Sequence, residues 1–436
     1  MSTPPLPVVL AAGGAEWETR LLPAFAESTR VAVVRRCVDV VDLLAVSATG
    51  QGRVALVSAG LRALDADAAD RLHASGVAVV AMVPRSGATD EDRMRALGVD
   101  YVVPDNAEPE VVISVVVQAG DTGADRDTRH FAGPSAAARS TPPPDGPSDE
   151  DAHDTEPASR GSVIAVWGPA GAPGRTTVAL TLADELGELG ASTLLVDADV
   201  YGGCVATVLG LLDESPGVAA ACRQAASRRL DAPGLAALCW QLTPSTRVLT
   251  GIPLPSRWPE LRPAALRTVL GAARELARFV VVDCGFNLET DEELSFDTLA
   301  PRRNGATLTV LDDADLVLVV GSADPVGMQR LVRALADLAD AEIAAPVEVV
   351  VNKLRRGPVP GDPTAEVPAA LHRFSGRTPL ALLPYDRGAL DQAMATGRTL
   401  REVRPASPLR RAVIDLAARL AGLPASGRRG RARLPG

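Results

Sequence analysis

The sequence predicts an α/β protein built from two parallel-sheet, three-layer domains. Three observations carry that reading: two series of short apolar runs alternating with helix-compatible stretches, a compositional break between them at 120–160, and a glycine-rich turn joining a buried strand to a helix at 168–174. Length agrees, because 436 residues exceed what a single domain of roughly 100–200 residues holds.

In the first series Val8–Ala12, Val31–Arg35, Arg53–Ser58, Val77–Val83 and Tyr101–Val103 read as strands. Helical spacing falls between them at Trp17–Glu27, Val38–Val46, Asp65–Ala74, Asp90–Leu97 and Glu108–Gln118. Five βα units over 6–119 give a small parallel sheet with helices on both faces. The layout resembles a response-regulator receiver domain. Receiver chemistry needs clustered carboxylates, yet the first strand runs into Ala11-Ala12-Gly13-Gly14 and the third into Val57-Ser58-Ala59. The last strand meets Val103-Pro104, where that family places a lysine before the proline. Residues 1–119 therefore read as a degenerate receiver-like domain, with a docking or dimerising role expected in place of phosphorylation.

Between 120 and 160 the proline-rich run Ser140–Pro147 and the acidic run Asp149–Glu156 replace apolar periodicity, so a flexible, self-repelling linker is expected. Composition sets further limits. Apolar residues are 47% and aromatics only 3%, which leaves alanine, valine and leucine to fill the cores. A formal charge of -10 argues against a protein that coats nucleic acid, although it does not exclude a local basic patch. The cysteines Cys37, Cys204, Cys222, Cys239 and Cys284 lack zinc-type spacing and read as reduced, mostly buried thiols. With neither a leader-like N-terminus nor a run of 18 apolar residues, a cytoplasmic protein is expected. Of 44 basic residues one is a lysine, Lys353, so chemistry requiring a lysine at the phosphate loop is expected to lie beyond this chain.

Residues 161–422 open with that loop. Val163–Trp167 is a buried-strand pattern, Gly168–Gly174 a glycine-rich turn, and Thr176–Leu189 a helical pattern, which is the context a P-loop needs. Gly168, Gly171 and Gly174 permit close backbone approach to a phosphate, and the helix aims unsatisfied N–H groups at the anion. Strand Ser192–Val196 is followed by Asp197-Ala198-Asp199, and strand Phe279–Val282 by Asp283. All three acids fall at the carboxyl edge of one sheet, where open α/β folds bind ligands. Further strands at Asp315–Val320, Val347–Val351 and Leu380–Leu383 precede, in the last two cases, Asn352-Lys353 and Pro384-Tyr385-Asp386, with helical spacing at 388–395.

These residues resemble the ParA/MinD group of deviant Walker ATPases, and more narrowly the CpaE/TadZ-like members that follow a degenerate receiver domain. The family loop K-G-G-x-G-K-T falls on Ala170-Gly171-Ala172-Pro173-Gly174-Arg175-Thr176, with both lysines replaced. The resemblance implies a P-loop NTPase domain binding ATP/ADP with Mg²⁺. It assigns Thr176, Asp197 and Asp283 to the metal, with Thr176 as hydroxyl ligand, Asp197 orienting metal-bound water and Asp283 as the Walker B acid. Asp199 and Arg175 become the catalytic pair, Asp199 positioning the attacking water. Nucleotide contacts are implied for Gly168, Gly171, Ala172, Pro173, Gly174, Arg175, Thr176 and Thr177. Asn352 reads the base, and Pro384 and Tyr385 flank it.

The substitutions leave several readings open. Arg175 keeps a charge, but its wide guanidinium does not replace a compact ammonium in a tight loop. Ala170 lacks the lysine that in the family reaches a partner's phosphates across a homodimer. A slow or inactive ATPase that positions a pilus, secretion, polar or septal assembly is the preferred reading, with a nucleotide-independent scaffold as one alternative. The other is a DNA-partitioning ATPase, for which the basic candidates are Arg401–Arg411 and the tail 423–436 with Arg428, Arg429, Arg431 and Arg433. The amphipathic stretch Leu409–Leu420 before the tail suits either a core helix or a DNA or membrane contact.

Overall fold

A computed structural model describes residues 4–85, 88–130, 160–211, 217–289, 302–359 and 361–422. Two compact units, a proximal and a distal one, divide the chain. Most of the 120–160 segment and the whole tail 423–436 lie outside the described residues.

The proximal unit alternates β1 (Leu6–Ala11), α1 (Glu16–Glu27), β2 (Val31–Arg36), α2 (Val40–Ala48), β3 (Val54–Ser58), α3 (Ala66–Ala74), β4 (Ala78–Val83), α4 (Ala88–Ala96), β5 (Tyr101–Pro104) and α5 (Pro109–His130). Its strands form a parallel sheet in the order β2-β1-β3-β4-β5, one of the common doubly wound orders. Both faces are covered, so β4 is buried at all six residues and reads as a continuous apolar run. Asp39 and Asp65 start α2 and α3 by accepting N–H bonds from Asp42 and Ala68. The last helix corrects one boundary: α5 continues to His130, into the segment expected to be linker from 120.

In the distal unit β6 (Ser162–Trp167), α6 (Arg175–Glu188) and β7 (Thr193–Ala198) lead to the short helices α7 (Val205–Val208), α8 (Gly217–Ala226) and α9 (Ala232–Ala237). Next come β8 (Trp240–Gln241), β9 (Thr246–Leu249), α10 (Pro263–Leu276), β10 (Phe279–Cys284), α11 (Gly305–Asp313), β11 (Leu316–Ser322) and α12 (Pro325–Asp340). The unit closes with β12 (Val347–Leu354), α13 (Pro363–Ser375), β13 (Ala381–Pro384), α14 (Arg387–Thr396), α15 (Leu400–Val403) and α16 (Pro408–Leu420). The eight-stranded sheet runs β13-β12-β11-β6-β10-β7-β9-β8. Its strands are parallel, as expected of a parallel-sheet domain, except that the two-residue edge strand β8 pairs antiparallel with β9.

Helix α6 lies in the middle of the distal core, buried from Val178 to Gly187. Two of its buried residues are acids, Asp184 and Glu185, only 1% and 2% exposed. Arg401 donates to both oxygens of Asp184 at 3.1–3.2 Å, and Arg410 grips Glu185 at 2.6 and 3.1 Å. A buried charge without a counterion is strongly destabilising, so these arginines are internal struts. That removes Arg401 and Arg410 from the basic patch considered for the alternative DNA-binding reading, while Arg404 and Arg411 stay exposed. Helix α16 packs its apolar residues Leu409, Val413 and Leu416 into the same core, as a closing core helix does. No helix among the described residues is long and apolar enough to cross a membrane.

Candidate functional site

The site assembles at the carboxyl edge of β6, β7 and β10. Asp197 and Asp283 sit directly opposite each other in the parallel register of β7 and β10, inside the strands instead of just after them. The loop after β6 turns through three unusual positions: Gly171 at φ 102°, Ala172 at φ 54° and Gly174 at φ 100°. At Gly168 a Cβ would strike the Val320 carbonyl, so glycine is required for the loop to pass β11. Gly174 is the N-cap of α6 and has no side chain to satisfy the first-turn N–H groups, which stay available to an anion.

Thr176 donates its hydroxyl to Asp283 Oδ2 at 2.6 Å. The other oxygen, Asp283 Oδ1, is buried and has no hydrogen-bond partner. Burial, and after it the charge of Asp197, holds the Asp283 carboxyl well above the usual carboxylate range. Burial also pushes Asp197 up to about 7, with the charge of Asp199 adding to it and backbone donors opposing it. Both oxygens of Asp197 are engaged, Oδ1 by the Asp199 N–H at 3.2 Å and Oδ2 by the Val205 N–H at 3.1 Å. Its place is that of a strut for the 199–205 turn, on which Gly203 and Gly251 close tightly.

Among the described residues no three His, Cys, Asp or Glu side chains converge into a ready-made metal cage. Mg²⁺ does not need one, because it keeps several waters and takes one or two carboxylates together with substrate phosphates. A hydroxyl beside a carboxylate with one unpartnered oxygen fits that requirement at Thr176 and Asp283. Asp197 differs in that each of its oxygens already accepts one backbone N–H, leaving one further acceptor site on each.

Arg175 is folded back into the loop. Its Nε donates to the Cys284 carbonyl at 3.1 Å, its Nη1 to the Gly168 and Pro169 carbonyls at 3.2 and 3.1 Å, and its Nη2 to Asp199 at 3.4 Å. Asp199 also accepts N–H bonds from Tyr201 and Gly202 at 2.8 and 3.1 Å. Both members of the expected catalytic pair are thus tied to each other and to the backbone.

Asn352 belongs to β12 itself and is buried, donating Nδ2 to the Pro173 carbonyl at 2.9 Å and accepting from the Lys353 N–H at 2.8 Å. Tyr385 follows Pro384 beyond β13 and is half-exposed under the Arg355 guanidinium, 5.1 Å from its ring centre. Thr177 lies in the first turn of α6 and is half-buried.

Two cations at the loop escaped sequence reasoning. Lys353 Nζ donates to the Ala172 carbonyl at 2.6 Å, so a lysine does stand at the phosphate loop, delivered from the end of β12. This corrects the inference, drawn from Lys353 being the sole lysine, that none would stand at the loop. Arg330 of α12 reaches the Ala170 carbonyl at 3.5 Å and lies against Gly171. Beside it is a small cavity of about 60 Å³ lined by Pro169, Ala170, Gly171, Ser322, Asp324 and Arg330. The only signal for Lys353 was its singularity; Arg330 had none.

No family profile matches the sequence, and a sequence comparison with curated proteins finds no match either. Solved structures do resemble the fold. A ParA family ATPase from Chlorobium tepidum TLS aligns with TM-score 0.51 at 17% identity, over 60% of this chain and 98% of that one. The cell division ATPase MinD of Pyrococcus furiosus aligns with TM-score 0.47 at 20% identity, over 60% and 99%. The septum site-determining protein MinD of Pyrococcus horikoshii OT3, complexed with Mg-ADP, gives 0.47 at 19% identity, over 59% and 95%. At these identities the likeness is one of architecture: over about three-fifths of its length this chain has the fold of a ParA-type P-loop ATPase.

Proposed function

We propose that the distal unit binds an adenine nucleotide with Mg²⁺ at the 168–177 loop, with little or no hydrolysis, and acts as a positioning factor. The observation that carries the binding reading is the meeting of Thr176 and Asp283 beneath a left-handed glycine loop at an uncapped helix N-terminus. First-turn N–H groups and the helix dipole hold the phosphates, and Arg175 exchanges its carbonyl partners for phosphate oxygens. Thr176 and Asp283 would hold Mg²⁺, which supplies charge neutralisation for the polyphosphate.

Slow chemistry follows from Arg175. Its guanidinium is shared among three carbonyls and Asp199, and that acid must leave Arg175 before it orients a water. The fold likeness to a ParA family ATPase supports a ParA-like reading, and the positioning role and its cargo are left to experiment. The narrower CpaE/TadZ-like reading, with a homodimer serving a pilus or secretion machine, rests on the motif resemblance and the two-unit order of the chain. Calorimetry of the full chain with ADP and ATP, with and without Mg²⁺, tests the core of the reading. Binding that Mg²⁺ strengthens is expected; absence of heat at millimolar nucleotide in both conditions removes the proposal in favour of a nucleotide-independent scaffold.

A further inference from the structure

Lys353 is the sole lysine of the chain, and its ammonium is spent on one carbonyl of the phosphate loop, that of Ala172. The neighbouring side chain, Asn352, holds the next carbonyl, that of Pro173. Two consecutive residues at the end of β12 therefore pin two consecutive peptide planes of the loop. A trans peptide points its N–H opposite to its C=O. Drawing the Pro173 carbonyl towards β12 accordingly turns the Gly174 N–H away from β12. Proline at 173 has no N–H, so the peptide plane between 172 and 173 has the Lys353 bond as its polar anchor.

The backbone at both ends of this contact is unusual. Ala172 has φ 54° and Lys353 φ 58°, a left-handed conformation disfavoured for residues with a Cβ. Such positions persist where surrounding bonds over-determine them, and they cluster at binding sites. Here the two are joined by one hydrogen bond, while the Asn352 side chain accepts from the Lys353 N–H and fixes that turn. Ala63, Arg228 and Glu342 are also left-handed, so it is the bond from Lys353 to the equally left-handed Ala172, beside the Asn352 tether, that sets this position apart.

We propose that Lys353 is a positioning residue for phosphate binding: it holds the loop in the left-handed form that presents its N–H groups to a polyphosphate, supplying from β12 the ammonium that the loop sequence lacks. The proposal rests on the nucleotide-binding reading above and adds to it the source of the loop's shape.

The test titrates full-length protein with ADP and with inorganic tripolyphosphate, comparing the native chain with Lys353→Met and Lys353→Arg. Expected is at least a tenfold weaker binding of both ligands by the Met variant, substantial recovery by the Arg variant, and little change in the ligand-free melting temperature. Because Lys353 carries the chain's single side-chain amine, acylation of the folded native protein with an amine-selective reagent removes its charge without refolding. Loss of tripolyphosphate binding on acylation supports the proposal even where the Met variant does not fold. Tripolyphosphate binding that survives both the Met substitution and acylation overturns it. A native chain that binds neither ligand removes the nucleotide reading itself, and this proposal with it.

Discussion

Thr176 and Asp283 are 107 residues apart in the chain and share a hydrogen bond of 2.6 Å at the base of the phosphate loop. The bond satisfies one carboxylate oxygen and leaves the other, Oδ1, buried and unpartnered. Replacing Thr176 by Val keeps the shape and deletes the donor. Mg²⁺ is expected to strengthen ADP binding to the native chain, and this increment should fall at least tenfold in Thr176→Val. Calorimetry in Mg²⁺ and in chelator reads the difference. The unsatisfied carboxyl should also lower stability by about 1–3 kcal/mol, measured by denaturant titration.

Turnover by the native chain is expected below the roughly 1–10³ s⁻¹ of ordinary enzymes. If misplaced charge is the cause, the double replacement Ala170→Lys and Arg175→Lys should raise phosphate release, and adding Asp199→Ala should abolish the gain. Brisk Mg²⁺-dependent hydrolysis by the native chain, lost on Asp283→Ala, would count against this account and make Arg175 a competent substitute.

The buried acid Asp197 makes metal-free stability depend on pH. Its folded-state value lies above the ordinary one, near 7, so between about 4 and about 7 the folded protein binds more protons than the unfolded chain. Stability then falls as pH rises through that window and levels off above it. A loss on the order of 2–4 kcal/mol between about pH 4.5 and pH 8 is expected in chelator. Asp283 is raised as well and adds a slope of the same sign, so Asp197→Asn should reduce the fall without abolishing it, while a native curve already flat contradicts the assignment.

Arg401 and Arg410 offer a test of structural against nucleic-acid roles. Each faces a carboxylate that is almost fully buried, so Arg401→Met or Arg410→Met should destabilise the distal unit by roughly 3–5 kcal/mol. Neither change should alter retention on DNA of a chain held below its melting temperature. Truncation near Gly422 separates any contribution of the basic tail.

Much of the fold was legible because central parallel strands are apolar throughout and glycine punctuates the loops: β6, the 168–174 turn and α6 were readable to within a residue or so. The edge hairpin was not. β8 is two exposed residues, Trp240 and Gln241, too short for any period to register. The acids of the site were legible from their places at strand ends, but their bonding was not. Nothing in the local sequence says that both oxygens of Asp197 accept from the backbone at 199 and 205 while Asp283 keeps an unpartnered oxygen. The arginines misled for a related reason. In the sequence 401–411 looks like a solvated basic patch, because the acids it neutralises lie more than two hundred residues earlier.

That separation has a consequence in time. Asp184 precedes Arg401 by 217 residues, and Glu185 precedes Arg410 by 225. At roughly 5–20 residues per second, the ribosome takes on the order of ten to forty seconds to supply the counterions after α6 has been made. β6, which precedes α6, waits as well, since both of its neighbours, β10 and β11, are synthesised late. Early burial of α6 would trap two uncompensated carboxylates, so the nascent distal unit gains nothing by collapsing before its last helices emerge. The arginine clasps thus tie completion of the core around α6, the helix that follows the phosphate loop, to residues made near the end of the unit.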